Sequence, residues 1–403
     1  MTGPLANIRV LDLSRILAGP FCCQLLADLG ADVVKVERPG AGDDTRHWGP
    51  PFVDGDGPSA YYLSCNRNKR SLTLDLEHAA ARPLLEALIR RADVMVENFL
   101  PKDLEKFGLT PQRLAAINPR LVTCSISGYG RTGPLAPVPG YDLVVQATSG
   151  LMAITGETDG APMKVGVAMS DIITGLYAAI SALAGLRARD QGAEQQHFDL
   201  ALADCTLASL VNVAQSTLVT REAPRRWGNA HPQIVPYEVF ATADGHLVLG
   251  IGNDRQWADF CAAVERPAWA RDPRYATNPA RVAHRDALVP EVARLMSERT
   301  GAQWHAVLSA ARVPHAPVLG VDRAIDDPQT AARQMVVEVD DSAGRRYRLL
   351  TTPIHWPGRD VSQTQPPPAL GEHNRAVLRD WLSFDDAELA QVEGSGALGS
   401  VTH

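Results

Sequence analysis

The stretch VGVAMSDIITGLYAA, residues 165–179, runs from small apolar residues into a helix-like segment with Asp171 at the seam. Two chemistries fit a carboxylate there. Ser170 or Asp171 can cap the helix by accepting hydrogen bonds from free backbone N–H groups of its first turn, an interaction worth about 1 kcal/mol. The same geometry suits a nucleophile, because helix N-terminal amides stabilise negative charge and can hold an oxyanion beside the carboxylate. With an ordinary carboxylate pKa of about 3.9, Asp171 is expected to be ionised at neutral pH and to need no partner base. The residues alone leave both accounts open.

Other reactive constellations fail on spacing. GYGRTG, residues 128–133, matches G-x-G-x-x-G after a strand, but Pro134, Pro137 and Pro139 interrupt the helix on which a pyrophosphate would sit. A tight, mobile loop is expected there, and SRILAGP in the first strand–helix unit is too poor in glycine to serve instead. There is no G-x-S-x-G and no H-E-x-x-H, and the eleven histidines are scattered, so neither a Ser/His/Asp set nor a metal site is expected. His231 and His315 read as loop anchors. The cysteines, Cys22, Cys23, Cys65, Cys124, Cys205 and Cys261, lack CxxC spacing and read as small buried hydrophobes.

A chain of 403 residues with 45% hydrophobic content can build a large core and more than one domain. A formal charge of −7 supplies no general field for polyanions, so neither nucleic acid nor an anionic membrane is expected as a partner. A phosphate-bearing ligand would need a local basic site. No apolar run approaches the roughly 18–20 residues of a membrane span, and MTGPLANIRV shows no signal or transit pattern, so a cytoplasmic protein is expected.

The elements that must carry Asp171 begin with a strand–helix–strand unit, IRVLDLS, GPFCCQLLADLG and ADVVKVE. Pro20 suits the first helical position, Gly30 the position past the end, and Phe21, Leu25 and Leu29 recur at helical spacing. The pattern repeats through SLTLDL, a helix near 78–91, DVMVEN, a helix near 101–116 and LVTCSIS. Such alternation predicts an α/β fold with a parallel, doubly wound sheet. A helix over 171–189, the strand HFDLAL and another apolar helix to about Val219 follow. REAPRRWGNAHPQIVPY then leads into a smaller unit with GHLVLGIG, a helix holding QWADFCAAV, and two helices within 286–312. Strands near 335–350, QTQPPPALGEHN and a last helix near 373–382 complete the chain, with a loosely ordered tail expected after about 392. The expected division is a large domain over 1–224, a small domain over 225–330, and a return segment over 331–403.

Five ordered motifs carry a resemblance over about residues 5–385: VLDLSRILAGPFCCQLLADLGADVVKVERPGAGDDTR, VENFLPKDLEKFGL, GYGRTGPLAPVPGYDLVVQATSGLM, GVAMSDIITGLYAAISALAGL and PPPALGEHN. Together they resemble the family III CoA-transferases of the formyl-CoA transferase and carnitine CoA-transferase type. The resemblance implies a Rossmann-like large domain, a smaller α+β domain, and two chains threaded through one another as an interlocked homodimer. It aligns Asp171 with the residue that attacks an acyl-CoA thioester. It aligns Leu17, Ala18, Arg38, Leu74, Asn98, Phe99, Lys106 and Tyr141 with coenzyme A contacts, Arg38 and Lys106 being the phosphate partners. Coenzyme A is then a substrate thioester, with no tightly bound cofactor and no metal.

Each of these residues also has a plain structural account: Asn98 can cap the helix near Pro101, Tyr141 can simply be packed, and Arg38 and Lys106 can be solvated cations. Two positions depart from the family, where several members have Gln at Leu17 and Arg at Lys106. Arg15 and Arg46 are expected near the mouth of the site, where they would hold a second carboxylate on the substrate. RRWGNAHPQIVPYEVF and GIGNDRQW look most like members that handle succinyl-CoA with dicarboxylate acceptors such as glutarate or hydroxymethylglutarate. The α-methylacyl-CoA racemase branch of the same fold is the nearest alternative, but it carries histidine before the aspartate of its GHD motif. Here the pair is Tyr141–Asp142, and tyrosine, with an ordinary pKa near 10, is a poor base at neutral pH. A non-catalytic coenzyme A-binding protein is the remaining alternative.

Overall fold

The computed structural model describes residues 3–399. Six parallel strands form one sheet in the order β3-β2-β1-β4-β5-β6. They are β1 (Arg9–Asp12), β2 (Asp32–Glu37), β3 (Lys69–Thr73), β4 (Val94–Glu97), β5 (Val122–Ser127) and β6 (His197–Ala201). This is the doubly wound order, in which the strand sequence reverses between β1 and β4 and opens a crevice beyond their carboxyl ends. The strands are apolar on both faces because helices cover both: Val10, Val33, Val94 and Val122 lie in one buried cluster, and Leu11, Val34 and Met95 in another.

The helices between these strands are α1 (Ala18–Asp28), α2 (Ala60–Cys65), α3 (Ala81–Arg91), α4 (Pro101–Phe107), α5 (Pro111–Ile117), α6 (Asp142–Thr148), the short α7 (Leu151–Ile154) and α8 (Met169–Asp190). After β6 come α9 (Leu202–Ala208) and α10 (Val211–Thr220). Two helices expected as single pieces are each divided. The run over 101–116 stops at Gly108, whose φ of 70° ends α4, and Thr110 caps α5 afresh. The apolar run after β6 bends by 79° between α9 and α10. The first helix also starts earlier than Pro20 suggests, with Leu17 at its N-cap position.

The 22-residue α8 is long and apolar enough, by length and composition alone, to cross a membrane, contrary to the expectation that nothing in the chain is. That expectation counted unbroken apolar runs, and Asp171 breaks this one. The helix packs against α1, α9, β5 and β6 through a stripe of small residues, Thr174, Gly175, Ala178, Ala182 and Gly185. A Cβ at Gly175 would stand 2.7 Å from the Ala18 carbonyl oxygen, and one at Gly185 would stand 2.5 Å from Val122 Cγ1. Glycine at these points is what lets α8 touch backbone on α1 and side chains on the sheet.

The chain divides into two compact units. One contains the sheet and gathers the residues up to Leu151, Lys164–Arg221, and the segment from Pro328 onward. The other is built from Met152–Met163 and Glu222–Asp327. It holds a three-stranded antiparallel sheet of β7 (Tyr237–Thr242), β8 (Gly245–Gly250) and β9 (His315–Pro317), with α11 (Asp254–Ala263), α12 (Pro267–Arg271), α13 (Asn278–Ala283), α14 (Arg285–Ser297), α15 (Gly301–Ala310) and α16 (Val321–Ile325). Its core centres on Trp257, Phe260, Met296 and Trp304.

The return segment of the first unit adds α17 (Pro328–Ala332), the hairpin β10 (Val336–Asp340) and β11 (Arg346–Leu350), α18 (Asn374–Leu382) and α19 (Asp386–Gly394). The expectation of a loose tail after 392 is corrected as far as Gly399. Helix α19 opens with a capping box between Asp385 and Glu388. Ala397 and Leu398 are buried, the Asp75 N–H donates to the Ala397 carbonyl, and the Thr73 hydroxyl donates to the Leu398 carbonyl. Residues 400–403 lie outside the described residues.

The close approach at Gly175 makes a direct prediction. Gly175→Ala should destabilise the protein by about 1–3 kcal/mol, because the added methyl meets an immovable carbonyl. Helix propensity alone would favour alanine by about 1 kcal/mol. Denaturant unfolding of the two proteins checks the sign.

Candidate active site

Asp171 occupies the first turn of α8, but its side chain caps nothing. Helix α8 has no cap from its own N-terminal residues; the Ser170 N–H instead donates to Asp142 Oδ1 at 2.8 Å, from the first turn of α6. The second oxygen of Asp142 accepts from Gln146 Nε2 at 2.8 Å, and Gln146 Oε1 accepts from the Val165 N–H at 2.9 Å. One acid and one amide on α6 therefore fasten the segment that enters α8. Of the two accounts left open by the residues, capping by Asp171 is ruled out, and the Ser170 hydroxyl is buried without a hydrogen-bond partner among the described residues.

Asp171 is half-buried and accepts no hydrogen bond among the described residues. Burial, reinforced by the negative charge of Asp142, pushes its carboxyl up to about 7. Against the expectation of an ordinary carboxylate that ionises near pH 4, this group keeps its proton up toward neutral pH. Tyr61 on α2 faces the same charges, and burial together with Asp171 pushes its phenol up to about 12. Gly175 lies one helical turn beyond Asp171 on the same face and abuts the Ala18 carbonyl, which sets the carboxylate beside the first turn of α1.

That first turn is held by buried charge. Lys69 Nζ donates to Asp12 Oδ2, the Pro20 carbonyl and Asn66 Oδ1, each at 2.9 Å. Lys35 Nζ meets Asp43 Oδ2 at 2.8 Å and the Ser14 carbonyl at 2.9 Å, and opposing charges on Asp43, Asp12 and Glu37 keep it protonated despite burial. Between these anchors Ile16 is forced to φ 73°, a left-handed conformation that a β-branched residue adopts only under strain. Its N–H points to the Asp43 carboxylate at 3.3 Å.

The aligned residues fall in several places. Leu17 and Ala18 open α1 at the crevice between β1 and β4. Asn98, at the end of β4, does not cap α4; its amide accepts from the Arg15 N–H at 3.0 Å and donates to the Arg15 carbonyl at 2.9 Å. Arg38, Leu74 and Phe99 line a cleft of about 540 Å³, with Arg15, Glu77, Asp103 and Phe107 also on its walls. Arg38 is exposed and pairs with no carboxylate among the described residues, whereas Lys106 is paired with Glu77. Tyr141 is 66% exposed, so it is not a packed core tyrosine.

Arg15 and Arg46 differ sharply. Arg15 is exposed and pairs with Asp44 at 3.0 Å. Arg46 is anchored within the fold: it bonds both oxygens of Glu37 at 2.8 Å, the Tyr62 hydroxyl and the Pro368 carbonyl, and stacks on the Tyr62 ring at 3.9 Å. These bonds occupy Nε and Nη2, and Nη1 makes no hydrogen bond among the described residues. The GYGRTG loop is tied down, with the Arg131 N–H on Asp199, its guanidinium on Glu97 and the Phe99 carbonyl, and no helix before α6.

Asp142, Gln146 and Tyr61 were not among the sequence candidates. Asp142 was visible only as the neighbour of Tyr141, and nothing in the sequence ties Tyr61 to Asp171. Gly175 carried a signal: with Ala178, Ala182 and Gly185 it marks a small-residue stripe at helical spacing.

Comparison with known proteins gives these features a context. Residues 5–374 match CoA-transferase family III. The chain is 45% identical to a succinate–glutarate CoA-transferase of Agrobacterium fabrum over 386 residues, covering 94% of this chain and 95% of that one. It is 38% identical to the succinyl-CoA:glutarate CoA-transferase of Homo sapiens, covering 98% and 90%. Among solved structures it resembles a CAIB/BAIF family protein from Brucella suis, with TM-score 0.83, 42% identity, and coverage of 94% of this chain and all of that one. On this match along nearly its whole length, the chain belongs to CoA-transferase family III.

Proposed function

We propose that this enzyme moves coenzyme A from succinyl-CoA to a small dicarboxylate such as glutarate, with Asp171 as the covalent relay. The observation that carries the reading is a half-buried carboxylate that accepts no hydrogen bond among the described residues and caps no helix, beside the crevice of a CoA-transferase fold. The relatives named for succinyl-CoA and glutarate support the choice of substrates.

The chemistry needs four exchanges. Ionised Asp171 attacks the thioester carbonyl, the C–S bond breaks, and a mixed anhydride and free CoA thiolate result. The thiolate attacks the aspartyl carbonyl, releasing succinate and leaving an aspartyl-CoA thioester. The acceptor carboxylate displaces the thiolate to form a second anhydride. The thiolate then attacks the acceptor's acyl carbon, which forms the new thioester and restores Asp171. Each step trades one acyl bond for another, so no strong base is required. A nucleophile whose carboxyl is pushed up to about 7 is more basic, and therefore more reactive when ionised, than an ordinary aspartate. On this reading the cleft of Arg38, Leu74 and Phe99 takes the nucleotide end of coenzyme A. Lys106, Asn98, Leu17, Ala18 and Tyr141 line its path to Asp171, and remote binding there offsets desolvation at the reacting carbonyl. Proton exchange at the α-carbon, the racemase reaction, lacks its base because Tyr141 replaces histidine.

The working form on this reading is a homodimer. Leu176, Tyr177, Ile180 and Leu183 on α8 are exposed, as are Val211, Leu218 and Val219 on α10. Apolar surface of that extent is what a second copy would cover. The proposed division of labour gives coenzyme A to the unit with the parallel sheet, and the active enzyme remains in the cytoplasm.

Asp171→Ala should lower succinyl-CoA:glutarate exchange by at least about 10³-fold while leaving the melting temperature within a few degrees, measured by thioester product masses and by calorimetry. Turnover surviving the substitution, or solvent deuterium entering the α-carbon of an acyl-CoA, would reject the transfer mechanism. The raised carboxyl also has a sign in stability. Between pH 4 and 7 the folded state binds a proton at Asp171 that the unfolded chain has lost, so this group's contribution falls as pH rises through that window. Asp171→Asn should therefore raise the melting temperature at pH 8 and leave it unchanged at pH 4. Sedimentation should return twice the 43.4 kDa chain mass, and a monomer at micromolar concentration would contradict the dimer.

A further inference from the structure

The second unit carries cations brought together without an anion between them. The Arg225 guanidinium carbon lies 3.6 Å from the centre of the Trp227 ring, and that of Arg285 lies 4.3 Å from the same centre. Arg285 is fixed by donating to the His231 and Pro232 carbonyls at 3.0 and 2.9 Å. Arg226, between the two partners in sequence, is committed elsewhere, to the carbonyls of Ala153, Glu157 and Gly160. Arg225 makes no hydrogen bond or ion pair among the described residues, and neither guanidinium that faces Trp227 meets a carboxylate within 4.0 Å. Glu238 and Asp286 favour the charge on Arg285 from farther away, while burial and the charge of Arg225 oppose it.

Two like charges held on one half-buried indole repel each other, in a protein whose net charge is −7 and offers many alternative partners. Packing alone would be served by one arginine on the ring. A pair of guanidinium forks over a flat aromatic floor is instead the donor set that carboxylate and phosphate oxygens prefer.

We infer that Arg225, Trp227 and Arg285 form an anion-binding site wholly within the second unit, shaped for the oxygens of a carboxylate or a phosphate ester. The proposed reaction supplies both chemistries. Every acyl group in a succinyl-to-dicarboxylate exchange keeps one free carboxylate throughout, and coenzyme A carries phosphates. Of the two residues expected to hold that free carboxylate, Arg46 is bonded to Glu37 and Arg15 is exposed and paired with Asp44. The candidate ligands rest on the proposed function, but binding at the site does not require turnover.

Tryptophan emission of the full-length protein is followed while glutarate, and separately coenzyme A, is titrated in. One of the two should give a saturable change that Trp227→Phe abolishes. Calorimetric titration should show Arg225→Gln weakening that ligand by at least about tenfold, with part of the affinity restored in Arg225→Lys. Arg225 is exposed, so these variants test binding without loss of the core. A glutarate response assigns the site to the substrate's free carboxylate, and a coenzyme A response assigns it to a phosphate. No saturable response to either, or Arg225→Gln binding as tightly as the native chain, overturns the inference. A protein that binds at this site but transfers no coenzyme A would refute the proposed reaction and leave the site standing.

Discussion

The burial of one carboxylate, Asp171, without a hydrogen-bond partner among the described residues is the constraint to which its surroundings answer. Left to itself, Asp171 would turn to solvent or to the free amides of its own helix. It does neither, because Asp142 already satisfies the Ser170 N–H and its charge repels a second carboxylate. Asp142 accepts a hydrogen bond on each of its oxygens, while Asp171 is left with the desolvation cost. Two neighbouring acids with opposite environments are a recurring way to separate a structural carboxylate from a reactive one. On the proposed mechanism, reactivity and local instability have the same origin.

Holding such a group still requires a rigid surround, and the surround here is ionic on one side and apolar on the other. Beneath the first turn of α1, Asp12, Lys69, Lys35, Asp43, Glu37 and Arg46 form buried pairs whose charges balance. Removing any one member would strand its partner in a medium of low dielectric, which makes the arrangement intolerant of change. It also supports the strained Ile16. On the other side, the glycine contact between α8 and α1 fixes depth. A larger residue at Gly175 would move the carboxylate outward by pushing the helices apart, and with that motion the environment that raises its affinity for protons would be lost.

Much of this was legible in sequence. Alternating apolar strands and helices implied the doubly wound sheet, and the five motifs implied the family now matched over residues 5–374. What sequence did not reveal was how polar side chains were spent. Arg46 and Arg15 look equivalent in the chain, yet one is buried against Glu37 and the other is exposed. Periodicity reports which face is apolar and says nothing of which acid a given arginine will find. Helix α19 was missed although Asp385 and Glu388 stand at capping-box spacing, because the glycines that follow it suggested a loose end. The break between α9 and α10 has no proline or glycine to mark it. For the site itself, Asp171 was visible as an oddity at a helix start, whereas its exclusion as a cap depended on Asp142, which lies 29 residues earlier and reaches it only through the fold.

The most direct test is chemical capture of Asp171 during turnover. The protein is incubated with succinyl-CoA, quenched with hydroxylamine, digested and weighed peptide by peptide. A hydroxamate is expected on the peptide containing Asp171, and on no other acidic residue, in amounts that rise with the occupancy of the intermediate. Steady exchange in the same sample, with that peptide unchanged in mass, would contradict it.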